Sequence, residues 1–114
     1  MAANPLATSW PLAVDFRIPA DGTPTVLCRG RLISETSELF RSEVKKLVGR
    51  NHLLVVDLSQ VTYVDSSGLG AIIAVYVSAK RAGDELRFIN LSERLKDLLR
   101  ITRLTAFFDG SRQD

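Results

Sequence analysis

A run of small and polar residues near the middle of the chain carries the groups best able to do chemistry. It spans residues 62–70 with the sequence TYVDSSGLG, after an apolar stretch and before a helical pattern. Junctions of this kind, at the carboxyl end of a parallel strand, are where α/β folds place their sites. In one interpretation Asp65 or Ser66 caps the helix and the glycines let it approach the sheet closely. In the other, a serine hydroxyl is displayed where free N–H groups and the helix dipole stabilise an added phosphate.

The motifs of serine hydrolases and nucleotide-binding enzymes are missing from this sequence. There is no G-x-S-x-G elbow, and the single histidine, His52, opens the preceding strand at its amino end. Gly68 to Gly70 lacks the Gly-Lys-Ser/Thr of a Walker loop. Asp57 invites comparison with a phospho-accepting receiver domain, but Asp15 stands alone where a receiver needs an acidic pair for Mg²⁺. We therefore expect no enzymatic activity, no metal and no cofactor.

Composition limits the remaining functions further. The 114 residues, 46% of them apolar, correspond to one domain. A net charge of +2 with no basic run argues against nucleic acid or an anionic membrane as partner. Cys28 is the only cysteine, which excludes an internal disulfide and a zinc site and fits a cytoplasmic protein. The first residues lack the basic start and apolar core of a signal peptide, and no apolar run approaches the roughly eighteen residues of a membrane span, so we expect neither feature.

The hydrophobic pattern predicts four strands after a flexible N-terminal leader. The leader covers residues 1–11 and the domain residues 12–114. Strands are predicted over residues 12–18, 25–29, 53–58 and 85–90. Turn-forming residues at 19–24 join the first two strands into a hairpin. The third strand is almost continuously Leu and Val, which is typical of a central strand covered on both faces.

Three amphipathic helices are predicted between and after these strands. The first begins at Ser34 and stops at Gly49, the second follows Asp65 and ends at Gly83, and Ser92 caps the third. Phe107-Phe108 adds a short edge strand or packs as a plug. The resulting order ββαβαβα predicts an α/β fold, a mixed sheet with parallel inner strands covered by helices.

Four motifs make the chain resemble a STAS domain, the fold of anti-sigma factor antagonists that is also found on sulfate transporters. The resemblance covers about residues 12–110. It rests on Gly30-x-Leu32 before the first helix, on VVDLS in the central strand, on residues 63–70, and on LxxLLxITxL around the third helix. DSSGLG in this topology is the most specific of these signals.

The resemblance implies a protein-binding switch in transcription control. Similar members are phosphorylated on the first serine of DSSG by a serine kinase that is also an anti-sigma factor; unphosphorylated, they bind the kinase and free the sigma factor. The acceptor here would be Ser66. Two positions depart from the family pattern: Ile33 replaces an aspartate usual after Gly-x-Leu, and Arg103 replaces a common glycine. The alternative is a STAS scaffold or accessory subunit that is never phosphorylated, as in a stressosome-like core or a lipid-transport complex, for which Ile33 would be natural.

The same resemblance predicts the partners and the surface that binds them. The partners would be the anti-sigma factor kinase and a serine phosphatase, with the chain itself a monomer or weak homodimer. We expect small and apolar residues around the acceptor, including an exposed face of the second helix, to form the contact. These residues are Ile33, Ser34, Asp65, Ser67, Gly68, Leu69, Gly70, Ala71 and Val75. Bulky replacements of Gly68 or Ala71 are expected to weaken binding and leave the fold intact.

Overall fold

The computed structural model describes residues 11–50 and 52–101, which form four strands and three helices in the expected order ββαβαβα. The strands are β1 (Leu12–Arg17), β2 (Thr25–Leu32), β3 (Leu53–Val64) and β4 (Glu85–Ile89). The helices are α1 (Ser34–Lys45), α2 (Ser66–Arg81) and α3 (Glu93–Ile101). Residues 1–10 of the predicted leader and Phe107-Phe108 lie outside the described residues. No helix in the described ranges is long and apolar enough to cross a membrane.

The sheet has the order β1-β2-β3-β4 and is mixed, as predicted. β1 runs antiparallel to β2, while β2, β3 and β4 are parallel to one another. The hairpin turn closes through a bond from the Gly22 N–H to the Pro19 carbonyl at 2.8 Å, with Gly22 at a φ of 83° that favours glycine. Because the three parallel strands end at the same edge, α1, α2 and α3 all begin there.

The core lies between one face of the sheet and the three helices. Alternate residues of β3, Leu54, Val56 and Leu58, are buried in one core cluster that includes apolar residues of every helix. In α3 the predicted cap is confirmed: the Ser92 hydroxyl accepts from the Leu95 N–H at 3.1 Å. The other face of the sheet carries a groove with no helix residue among its lining, and Val55 is buried on its floor. The central place of β3 is therefore confirmed, but among the described residues helices cover one of its faces.

β3 is twice as long as its apolar run. It continues to Val64 because β2 stays paired with it, with Gly30 opposite Val61 and Leu32 opposite Val64. Irregularities in that register fall between Leu27 and Arg29 and again after Gly30. The second half of β3 contains the exposed residues Ser59, Gln60, Thr62 and Tyr63. It therefore lacks the continuous apolar pattern that predicted the first half. This extension of β3 brings the chain directly to the DSSG turn.

Candidate functional site

Asp65 caps the helix that carries the two serines. It has extended backbone angles, and its Oδ1 accepts a hydrogen bond from the Gly68 N–H at 2.9 Å. The cap is therefore Asp65, and Ser66 and Ser67 are the first two residues of α2. Both serines are exposed. The N–H groups of a first helical turn lack partners within the helix, so Ser66 displays its hydroxyl beside a partly positive helix end.

The second oxygen of Asp65 reaches the neighbouring helix. Oδ2 accepts from the Ser34 N–H at 3.2 Å, at the first residue of α1. The N-cap of α1 is Ile33, whose side chain offers no acceptor. The Asp65 N–H in turn donates to the Leu32 carbonyl at 3.2 Å. One carboxylate thus joins the starts of α1 and α2 and brings Ile33 and Ser34 beside the acceptor turn.

At Gly68 the start of α2 packs directly against the end of β2. A Cβ at this position would lie 2.0 Å from the carbonyl oxygen of Leu32, far inside any real contact. The prediction that a bulky residue at Gly68 leaves the fold intact is therefore wrong. At Gly70, two residues further on, a Cβ would meet nothing within 4 Å. Gly70 is exposed and belongs to the accessible part of the turn.

The expected exposure of α2 at Ala71 and Val75 is also wrong. These side chains are 2% and 0% exposed and belong to the core, and a bulky residue at Ala71 would disturb it. Leu69 is buried as well, at 8% exposure. The helix packs against both α1 and the sheet, which leaves a narrower outer stripe. That stripe consists of Ser66, Ser67, Gly70, partly exposed Ala74, and Val77.

Two titratable side chains outside this turn have shifted pKa values. Burial raises the pKa of the Cys28 thiol to about 12, with smaller contributions from Asp57 and Asp15, so the thiol stays protonated. Burial would raise the pKa of Asp57, but hydrogen bonds from Ser59 and Asn90 outweigh it and lower that pKa. The Ser59 N–H lies 2.8 Å and the Asn90 Nδ2 3.2 Å from Asp57 Oδ1. Asp57 thus joins the middle of β3 to Asn90, the residue that follows β4. Within residues 11–50 and 52–101, no group of three or more His, Cys, Asp or Glu could hold a metal.

A cluster of basic and aromatic residues, which the sequence did not predict, lies at the edge of the sheet where the helices begin. Arg31 on β2 is paired in register with Tyr63 on β3, and both are exposed. The guanidinium carbon of Arg94, in the first turn of α3, lies 5.7 Å from the centre of the Tyr63 ring. Tyr63 is two residues before Asp65. The only sequence signal was an aromatic residue inside the TYVDSSG run, and neither arginine is near it in sequence.

Comparison with known proteins identifies the class to which this fold and turn belong. The model of the STAS domain family matches residues 18–113, so the chain belongs to the STAS domain family. The anti-sigma-B factor antagonist of Bacillus subtilis is 33% identical over 82 residues, covering 72% of this chain and 75% of the relative. The resemblance to a STAS domain, stated from four sequence motifs, is thereby confirmed.

Solved structures share the fold at low identity. An anti-sigma factor antagonist from Mycobacterium paratuberculosis superposes with a TM-score of 0.73 at 20% identity, covering 85% of this chain and 82% of that one. The phosphorylated form of the Bacillus cell fate determinant SpoIIAA gives a TM-score of 0.65 at 15% identity, covering 84% and 88%. At these identities the likeness establishes the fold alone, and the function has to be argued from the site.

Proposed function

We propose that this protein is an anti-sigma factor antagonist whose binding is switched by phosphorylation of Ser66. Unphosphorylated, it binds an anti-sigma factor serine kinase and so frees a sigma factor to activate transcription; a serine phosphatase restores this state. The observation that carries the proposal is the exposed Ser66 hydroxyl, held at the start of α2 directly after its cap. The antagonist named among the relatives supports it. The role needs neither catalysis nor a cofactor from this chain.

The geometry favours Ser66 over Ser67 as the acceptor. Ser66 is the first residue of the helix and adjoins the extended cap residue, so a kinase can reach its hydroxyl from the loop side. Ser67 lies one position further into the first turn. A phosphate on either serine would gain from the helix N-terminus, by about 0.3 to 1 kcal/mol. Because the helix end would stabilise a phosphate on either serine, the proposal of Ser66 rests on its easier access for a kinase.

The proposed docking surface is the accessible part of the turn and its neighbours. It comprises Ile33, Ser34, Asp65, Ser66, Ser67 and Gly70, and continues along α2 through Ala74 and Val77. A phosphoserine brings about −1.5 to −2 charges at pH 7. Burying such a group against a surface that fits a neutral hydroxyl costs several kcal/mol. A hundredfold loss of affinity requires only about 2.7 kcal/mol, so desolvation alone can switch the complex off.

The direct test is phosphorylation of the full chain. The protein is incubated with ATP and each anti-sigma serine kinase encoded by its source organism, and modified residues are located by mass spectrometry. We expect one phosphate on Ser66, none on the Ser66→Ala variant, and unchanged labelling of Ser67→Ala. Phosphate on Ser67 with Ser66 unmodified would overturn the assignment of the acceptor.

A second candidate function is a STAS scaffold or accessory subunit that is never phosphorylated. The observation that favours it is Ile33, a partly buried apolar residue at the cap of α1, where phosphorylated members usually carry aspartate. The same incubation separates the two functions. If no kinase modifies or binds the chain, the antagonist proposal fails and the scaffold remains.

A further inference from the structure

The Arg31–Tyr63–Arg94 patch, defined by these three residues, borders the proposed docking surface. Arg31 precedes Leu32, whose carbonyl accepts from the Asp65 N–H at 3.2 Å, and Tyr63 precedes Asp65 by two positions. Arg94 joins from the start of α3, which begins at the same edge of the sheet. Three elements distant in sequence therefore meet here, with the Arg94 guanidinium over the exposed Tyr63 ring and Arg31 paired with Tyr63 on the neighbouring strand, beside the acceptor turn.

Several carboxylates on the elements that carry the patch, or next to them, are engaged by other cations. Within α3, Glu93 pairs with Lys96 at 3.5 Å and Asp97 pairs with Arg100. On the hairpin, Asp15 pairs with Arg29 at 2.7 Å. Neither Arg31 nor Arg94 forms an ion pair with a described residue. The patch thus offers two positive charges to a partner.

We propose that the Arg31–Tyr63–Arg94 patch is a specificity element that docks a carboxylate-rich surface of the partner. The inference rests on the proposed function and adds the chemistry of the partner to it. Arginine binds carboxylates through two parallel hydrogen bonds, and a tyrosine beside it supplies apolar contact area. Tyrosine and arginine are also the residue types that dominate binding energy at protein interfaces. Neither arginine is neutralised by an ion pair with a described residue, so the charge of the patch favours an acidic partner.

The size and surroundings of the patch favour a protein over a nucleic acid. A nucleic-acid surface uses a stripe of basic residues that follows a phosphate backbone. Here Arg94 lies over a single ring and Arg31 is paired beside it, close in sequence to the half-buried residues Ile33 and Asp65. The net charge of the whole chain is only +2. Charge complementarity therefore selects local carboxylates and not a polyanion.

Charge reversal tests the proposal with a matched control. Arg31→Glu and Arg94→Glu are compared with Arg81→Glu, an identical change at the far end of α2, about 22 Å along the helix from Ser66. Dissociation constants are measured for the organism's anti-sigma serine kinases at two salt concentrations, and circular dichroism verifies each fold. We expect a tenfold or greater loss for each patch variant, a weaker salt dependence, and a change under twofold for Arg81→Glu.

The outcomes separate the two proposals. If the wild type binds a kinase and the patch variants bind equally well, the patch is not the specificity element and the antagonist function stands. If the wild type binds no kinase, both proposals fail. Binding of the wild type to a duplex DNA probe that both patch variants abolish would assign the patch to nucleic acid instead. Tyr63→Phe should retain affinity and Tyr63→Ala should lose it, because the ring and not its hydroxyl contacts Arg94.

Discussion

The contact between Gly68 and Leu32 makes a quantitative prediction about stability. In Gly68→Ala the new methyl group would lie 2.0 Å from the Leu32 carbonyl oxygen and 2.7 Å from its carbon. Backbone on one side must move by about an ångström, since neither atom belongs to a flexible side chain. Overpacking of this kind costs about 1 to 3 kcal/mol. The shift also strains the 3.2 Å bond from the Asp65 N–H to Leu32, which is worth about 1 kcal/mol.

Gly70→Ala is the matched control, since it makes the same change two residues along the same helix. Both variants gain up to about 1 kcal/mol in helix propensity, and nothing lies within 4 Å of a Cβ at Gly70. The propensity gain cancels in the comparison, so Gly68→Ala should be about 2 to 4 kcal/mol less stable than Gly70→Ala. Urea unfolding followed by circular dichroism measures the difference, and a thermal scan should show roughly 5 °C for each kcal/mol. Equal stability of the two variants would refute the packing argument.

Three further predictions concern single hydrogen bonds and titrating groups. Ser34→Pro removes the N–H that donates to Asp65, at the first position of a helix, which favours proline, and after Ile33, whose backbone is extended. It should lower the free energy of unfolding in urea by about 1 kcal/mol and leave the helicity unchanged. A loss of helicity would contradict the account. Cys28 is fully buried, and burial raises its pKa to about 12, so it should react with a thiol reagent at pH 8 only as fast as the chain unfolds. Immediate labelling of the native protein would show that the thiol is not buried. Folding lowers the pKa of Asp57 below its ordinary value of 3.8, so its contribution to stability is present above that pH and lost as pH falls. Asp57→Asn should therefore flatten the acid side of the stability profile, and an unchanged slope between about pH 5 and 3 would refute this.

The elements were predictable where burial and periodicity agreed. The apolar run at residues 53–58 located the central strand, and the turn formers at 19–24 located the hairpin. The second half of β3 could not be found in the same way because its exposed polar residues are held by pairing with β2. Pairing depends on a partner strand about thirty residues away, and its register shifts are not written in the local pattern.

Features of the site that involve neighbouring residues were predictable from the sequence, whereas contacts between residues distant in sequence were not. The sequence offered Asp65 or Ser66 as the cap, and the choice followed once the helix start was known. The second hydrogen bond of Asp65, from the Ser34 N–H, joins residues 31 positions apart and depends on how the starts of α1 and α2 come together. The small residues of α2 predicted a surface for a partner, yet Ala71 is buried in the core. Small residues also allow a helix to pack closely within its own domain. Composition alone does not separate these two uses.

Affinity of the anti-sigma kinase for the two states of Ser66 tests the central claim most directly. Dissociation constants are measured for unphosphorylated protein, protein phosphorylated on Ser66, Ser66→Ala and Ser66→Asp, together with the melting temperature of each. We expect tight binding of the unphosphorylated protein and of Ser66→Ala, at least a hundredfold weaker binding of the phosphorylated form, weakened binding of Ser66→Asp, and melting temperatures within a few degrees of one another. Equal affinity of the phosphorylated and unphosphorylated proteins, or loss of native circular dichroism on phosphorylation, would contradict a switch that acts at the interface.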